Sequence, residues 1–136
     1  MKGIIIASHG RLAEGMLDTL QIFSGEQEQV KALCLLPEED IQAFLGKIQN
    51  ALQEVDSGEG AIIFCDLLFG TPCNCSARIL SDSTNKEKIS VITGMNLPMI
   101  MEYMGARETG MERDALVETG RAGIVDFNQM LADRNR

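Results

Sequence analysis

The 136-residue chain has no tryptophan, one tyrosine, one histidine and three prolines, and aromatic side chains make up 4% of it. With so few rings available, its core must be built from Ile, Leu, Val, Met and Ala, which suits helices packed on a sheet better than an all-β sandwich. Basic residues are also scarce, 12 Lys and Arg against 20 Asp and Glu, for a formal net charge of −8. Binding a nucleic-acid backbone needs Lys and Arg clustered on one face. No such cluster occurs, so nucleic acid is excluded as a partner. No apolar run approaches the roughly 18 residues of a membrane span. Met1-Lys2-Gly3 leads into three isoleucines, a run too short for a signal-peptide core and without a small-residue cleavage site. The expectation is a cytoplasmic protein. The phosphate-cradling Gly-x-x-x-x-Gly-Lys-Ser/Thr and the dinucleotide Gly-x-Gly-x-x-Gly are both missing, which argues against a nucleotide-binding kinase or a dehydrogenase. Cys34, Cys65, Cys73 and Cys75 lack the paired spacing of a zinc ribbon, and two of them sit in apolar runs where Cys behaves as a small hydrophobe. With one histidine and no second close Cys pair, Cys73-x-Cys75 reads as inert thiol rather than metal site. No metal and no cofactor are expected.

What the chain does have is the composition of one globular domain, 45% apolar and 24% charged, and residues 1–136 are read as a single domain. Lys2 to Ala7 is a nearly all-apolar run, the pattern of a strand buried on both faces in a parallel sheet. Leu12, Met16, Leu20 and Phe23 follow at helical spacing within Arg11 to Phe23, and Ser24-Gly25 ends that helix. Val30 to Leu35 is a second strand. Pro37, with Glu38, Glu39 and Asp40, reads as the first turn of a helix reaching Val55, because proline and carboxylates favour that end. Ala61 to Cys65 and Ile89 to Ile92 are further strands, separated by a turn at Phe69 to Pro72 and a helix to Leu80. Asn96 can cap a helix entered through Leu97-Pro98. Glu112 to Arg121 suits a helix, while Gly123 to Phe127 reads as a short last strand or as that helix continuing. Strands separated by right-handed helical crossovers give an α/β fold, an open doubly wound sheet, mainly parallel, in the order 2-1-3-4.

In that order the first and third strands are neighbours whose connections leave in opposite directions, and the crevice at their carboxyl ends is where such sheets place their chemistry. The first ends in Ser8-His9-Gly10, with the only histidine. The third ends in Asp66. Strands about 4.8 Å apart allow the two side chains to touch. A carboxylate that accepts the Nδ1 proton leaves Nε2 as a free nucleophile and supports the positive charge that grows on the ring. Gly10 and Arg11 open the next helix, whose first amides suit a phosphoryl group, and Gly70 and Thr71 stand at a second helix start where the threonine hydroxyl can donate.

Ser8-His9-Gly10, Asp66-Leu67-Leu68-Phe69-Gly70-Thr71-Pro72-Cys73-Asn74 and Gly94-Met95-Asn96-Leu97-Pro98-Met99, with Val117-Glu118-Thr119-Gly120-Arg121 in the tail, together resemble the mannose-family enzyme IIA of the bacterial sugar phosphotransferase system. The resemblance covers nearly the whole chain. It implies a phosphotransferase in which His9 takes phosphate from the phosphorylated histidine phosphocarrier protein and passes it to a separate IIB component. The membrane would be met only indirectly, through the IIC/IID permease. Asp66 would orient His9, Thr71 would hydrogen-bond the phosphate, and the backbone at Gly10, Arg11 and Gly70 would bind it. The resemblance also implies a homodimer that exchanges a short antiparallel fifth strand near Gly123 to Phe127. Arg11, Cys73 and Cys75 depart from the residues some members carry. A receiver domain would need acidic metal ligands where His9 stands, and a histidine phosphatase or a tetrapyrrole chelatase would need a second histidine. Two readings stay open: the related phosphotransfer subunit of dihydroxyacetone kinase, and a regulatory phosphohistidine module.

Overall fold

The computed structural model describes residues 1–135. Its elements are β1 Gly3–His9, α1 Leu12–Ser24, β2 Val30–Leu35, α2 Ile41–Val55, β3 Ala61–Cys65, α3 Thr71–Leu80, β4 Ile89–Ile92, α4 Leu97–Gly105, α5 Arg113–Ala122 and α6 Phe127–Arg134. The sheet order is β2-β1-β3-β4 with every pair parallel, as the apolar strand pattern predicts. β1 and β3 are buried from end to end except at His9. Because successive side chains on a strand point to opposite faces, Ile4, Ile6, Ile62 and Phe64 pack with α1, α4 and α5. Ile5, Ala7, Ile63 and Cys65 pack with α2 and α3 on the other face. The connections of β1 and β3 thus lead to opposite sides of the sheet, which makes the carboxyl ends of those two strands its topological switch point.

The local sequence explains most boundaries. Asn96 caps α4, its side chain accepting from the Met99 amide at 3.1 Å. The entry to α2 differs from expectation: Pro37, Glu38 and Glu39 are not its first turn. Glu38 sits at φ +67, outside helical conformations. The Leu36 amide donates to the Glu39 carboxylate at 3.0 Å, while the Glu39 amide donates to the Leu36 carbonyl at 3.1 Å. This closed turn delays the helix until Asp40, whose side chain accepts from the Gln42 amide at 3.3 Å and caps α2. β1 also runs two residues past Ala7, which makes His9 its last member.

The tail corrects a second expectation. Among the described residues the sheet has four strands, and Gly123 to Phe127 forms neither a fifth strand nor a continuation of α5. Amides of Gly123 and Ile124 close back on Gly120 and Arg121 at 3.3 and 3.0 Å, tight final turns that end the helix. Asp126 then caps a separate α6, its carboxylate accepting from the Gln129 amide at 3.1 Å. Ile124, Val125 and Phe127 stay exposed because no sheet edge within the chain meets them. At the amino end of the sheet, buried Arg107 donates to the carbonyls of Lys2, Glu28 and Gln29 and so ties α4 to the strand starts.

Phe44 of α2 is fully buried against the sheet, whereas Ile22 of α1 faces solvent. Phe44→Ala is expected to cost about 3–5 kcal/mol in urea unfolding. Ile22→Ala should stay within about 0.5 kcal/mol of the parent.

Candidate active site

His9 and Asp66 meet at this switch point. His9 is the last residue of β1, and Asp66 follows β3 directly, one residue past the Ala7–Cys65 pair. The His9 ring Nδ1 lies 2.9 Å from Asp66 Oδ2, and the His9 amide donates to the same oxygen at 2.8 Å. The other carboxylate oxygen, Oδ1, accepts from the Leu67 amide at 2.9 Å. Burial works against the charge on Asp66, but the hydrogen bonds from the His9 amide, the His9 ring and the Leu67 amide outweigh it and hold the carboxyl below its usual range. An ionised carboxylate has no proton to give. The ring nitrogen facing it therefore carries the proton in neutral His9, and Nε2 keeps its lone pair. The His9 side chain is 42% exposed and that of Asp66 10%, so the imidazole is open to solvent while the carboxylate that holds it is covered.

Three residues set the ring's surroundings. Ser8, fully buried, accepts from the Ala13 amide at 2.7 Å and satisfies one of the free amides of α1, a capping role that the sequence reading did not assign. Gly10 turns the chain at φ +57, a conformation that costs little only without a Cβ. Gly70 approaches the ring so closely that a Cβ built on it would lie 2.5 Å from His9 Cε1 and 3.2 Å from Nε2.

The expected phosphate-binding backbone is only partly available. The Gly10 amide donates to the Leu35 carbonyl at 2.7 Å and the Gly70 amide to the Leu67 carbonyl at 3.1 Å. Neither is free for a ligand. Gly70 shapes the site by its missing side chain instead. Thr71 is the first residue of α3, half-buried, directly after Gly70, where helix amides have no partner in their own helix. Arg11 precedes α1 and extends its guanidinium to Glu14 at 3.3 Å. The four cysteines are free and buried, and burial pushes the Cys65 thiol up to about 12 despite its contact with Ser76.

The model of the EIIA-man family, described as PTS system fructose IIA component, matches residues 3–120. The chain belongs to this family. It is 36% identical over 125 residues to the PTS system mannose-specific EIIAB component of Escherichia coli K12, a match covering 89% of this chain and 38% of that protein, so the chain spans well under half of that relative. It is 25% identical over 116 residues to the PTS system fructose-specific EIIA component of Bacillus subtilis, covering 85% and 77%. Among solved structures, the PTS IIA protein associated with the fucose utilization operon of Streptococcus pneumoniae aligns with a TM-score of 0.86 at 31% identity, covering 96% of both chains.

Because the folded Asp66 carboxyl titrates below its unfolded value, its stabilisation is complete above the unfolded value near 3.9. It is lost as pH falls through the lower folded value. The melting-temperature gap between wild type and Asp66→Asn is therefore expected to be widest near neutrality and to close on acidification; a constant gap would mean the carboxylate charge is not the stabilising feature. Gly70→Ala should displace the imidazole, read by NMR as faster exchange of the Nδ1 proton, with little change in melting temperature because the Gly70 backbone, at φ −74, is open to any residue.

Proposed function

We propose that this chain is a phosphoryl carrier of the sugar phosphotransferase system, a phosphotransferase that works through phosphohistidine at His9. The observation that carries the proposal is the 2.9 Å contact of Nδ1 with Asp66, which leaves Nε2 as the outward nucleophile. In the accepting step the Nε2 lone pair attacks phosphorus and forms the new N–P bond. The bond between phosphorus and the donor histidine breaks, and its electron pair leaves with the donor imidazole. His9 keeps its Nδ1 proton throughout, so the ring becomes cationic as it takes the phosphoryl group. Asp66 stabilises that charge across a short distance in a partly covered site, where such pairing is worth more than in water.

The donor is the phosphorylated histidine phosphocarrier protein, and the acceptor is a IIB component, with phosphate returned from Nε2 in the reverse displacement. Thr71 donates its hydroxyl to the phosphoryl oxygens, and the amides at the start of α3 face the same charge. Nucleotide and metal have no part in this chemistry, because the N–P bond of the donor already supplies the driving force and the protein contributes positioning. The chain works in the cytoplasm; no helix among the described residues is long and apolar enough to cross a membrane. The exposed Ile124, Val125 and Phe127 support a homodimer in which this segment meets a second copy.

Incubation with phosphoenolpyruvate, enzyme I and the phosphocarrier protein, followed by intact mass, is expected to show an acid-labile gain of one phosphoryl group that His9→Ala abolishes. Asp66→Ala should slow the gain by about 10²- to 10⁴-fold, as expected for loss of a carboxylate that fixes a tautomer and supports the ring's charge. Gain that persists in His9→Ala would reject the site, and no gain in the wild type would favour transfer from a different donor.

A further inference from the structure

The connection between β3 and α3 spends apolar surface where the fold does not require it. Leu67 and Leu68 are each 61% exposed and Phe69 is 77% exposed. None of the three belongs to either core cluster. Phe69 is also held at φ +64, a left-handed conformation that is costly for a residue with a bulky side chain. A solvent-exposed turn would ordinarily place Gly or Asn there. Local strain combined with an exposed aromatic ring marks a place where the sequence serves something other than stability.

The turn is rigid and registered to His9. The Gly70 amide closes it on the Leu67 carbonyl at 3.1 Å, and the Asn74 side-chain amide holds the Phe69 carbonyl at 3.0 Å. At its other end the Leu67 amide binds Asp66 Oδ1, while Oδ2 of the same carboxylate holds the His9 ring. Gly70 lies against that ring. The position of the Leu67–Phe69 ridge and the direction of the imidazole are thereby fixed by the same groups.

Other exposed apolar residues gather at this end of the sheet. Leu12 begins α1 just after His9, and Leu36 and Ile41 flank the β2–α2 connection. Leu35, next to Leu36, is the strand partner of His9. The Ile41 carbonyl faces Cys75 in α3. The charged residues among them are mainly acidic: Glu14, Glu38 and Asp40 are exposed, and the neighbouring cations Arg11 and Lys47 are paired with Glu14 and Glu39.

We propose that the Leu67–Phe69 turn is the docking ridge for the phosphoryl-donor protein, with Phe69 as its anchor. The proposal rests on the phosphoryl-carrier reading of His9 and adds which residues select the donor. Transfer between two histidines requires a protein surface to close over His9, and the ridge is the relief that such a surface must fit. The apolar turn with its acidic border calls for a donor whose active histidine is flanked by an apolar patch edged with Lys or Arg. A clamped turn loses little freedom on binding, which favours a pre-formed anchor over a flexible one. Phe69 is a docking residue and takes no part in the bond exchange.

The test compares Phe69→Ala and Phe69→Gly with wild type, using the phosphorylated phosphocarrier protein as one donor and phosphoramidate, which needs no protein docking, as the other. With the protein donor, both variants are expected to raise KM about tenfold, the effect of truncating an anchor side chain, while kcat changes by less than about twofold. The loss with the protein donor should exceed the loss with phosphoramidate. Phe69→Gly should also melt no lower than wild type, since it removes the strained side chain. Raising the salt concentration should raise KM for the wild type, as an acidic rim meeting a basic partner requires. Unchanged KM in both variants would overturn the proposal, and so would equal losses with the two donors, which would mean that Phe69 acts through the His9 ring. Wild type that accepts phosphate from phosphoramidate but not from the phosphocarrier protein would instead reject the carrier reading on which the proposal rests.

Discussion

The carboxylate of Asp66 takes three hydrogen bonds at once, from the amide of His9, the ring of His9 and the amide of Leu67. Two of them tie the end of β1 to the chain leaving β3, and the third starts the turn toward α3. This carboxylate continues the join between the two central strands beyond their last backbone pair, Ala7 with Cys65. An acceptor with two oxygens and a full negative charge is suited to such a junction, because it satisfies several donors that burial would otherwise leave unpaired. The charge persists because those donors favour it more strongly than burial opposes it.

Around this junction the doubly wound sheet divides the work. The two faces of β1 and β3 bury aliphatic side chains against separate helical layers, which fixes the strands as a rigid base. The carboxyl ends carry the polar and strained features: the left-handed Gly10, the close approach of Gly70, and Phe69 at positive φ. The arrangement follows from the topology, since reversal of the winding direction between β1 and β3 leaves their ends uncovered by a crossover helix. A side chain placed there is open to solvent, while the carboxylate bonded to it stays largely covered.

Much of this was legible in the sequence because its signals are local. Apolar runs at Lys2 to Ala7 and Ala61 to Cys65 mark strands buried on both faces, and the helical spacing of Leu12, Met16 and Leu20 marks the crossover. Those patterns yield the order 2-1-3-4, and the order in turn brings His9 and Asp66 together. The start of α2 was misread because Pro37 and the acidic residues after it fit a helix entrance equally well as a closed turn. Which one forms depends on the Glu39 carboxylate reaching the Leu36 amide and on Glu38 adopting a left-handed backbone. Propensity does not encode those choices. The tail was ambiguous because Ile124, Val125 and Phe127 have the composition of a strand but find no edge within the chain.

The sequence by itself determined the four strands, their parallel order and the placing of its single histidine at a strand end, since periodicity and a lone residue need no long-range information. Tertiary structure decided which atoms meet and at what distance. It set the Nδ1 to Asp66 contact expected from the strand order at 2.9 Å, consumed the Gly10 and Gly70 amides in backbone contacts with Leu35 and Leu67, and turned Gly70 into a wall of the imidazole site. It also left Leu67, Leu68 and Phe69 outside the core. Hydrogen-bond partners and exposure depend on distances between segments far apart in the chain, and a one-dimensional pattern does not carry those distances.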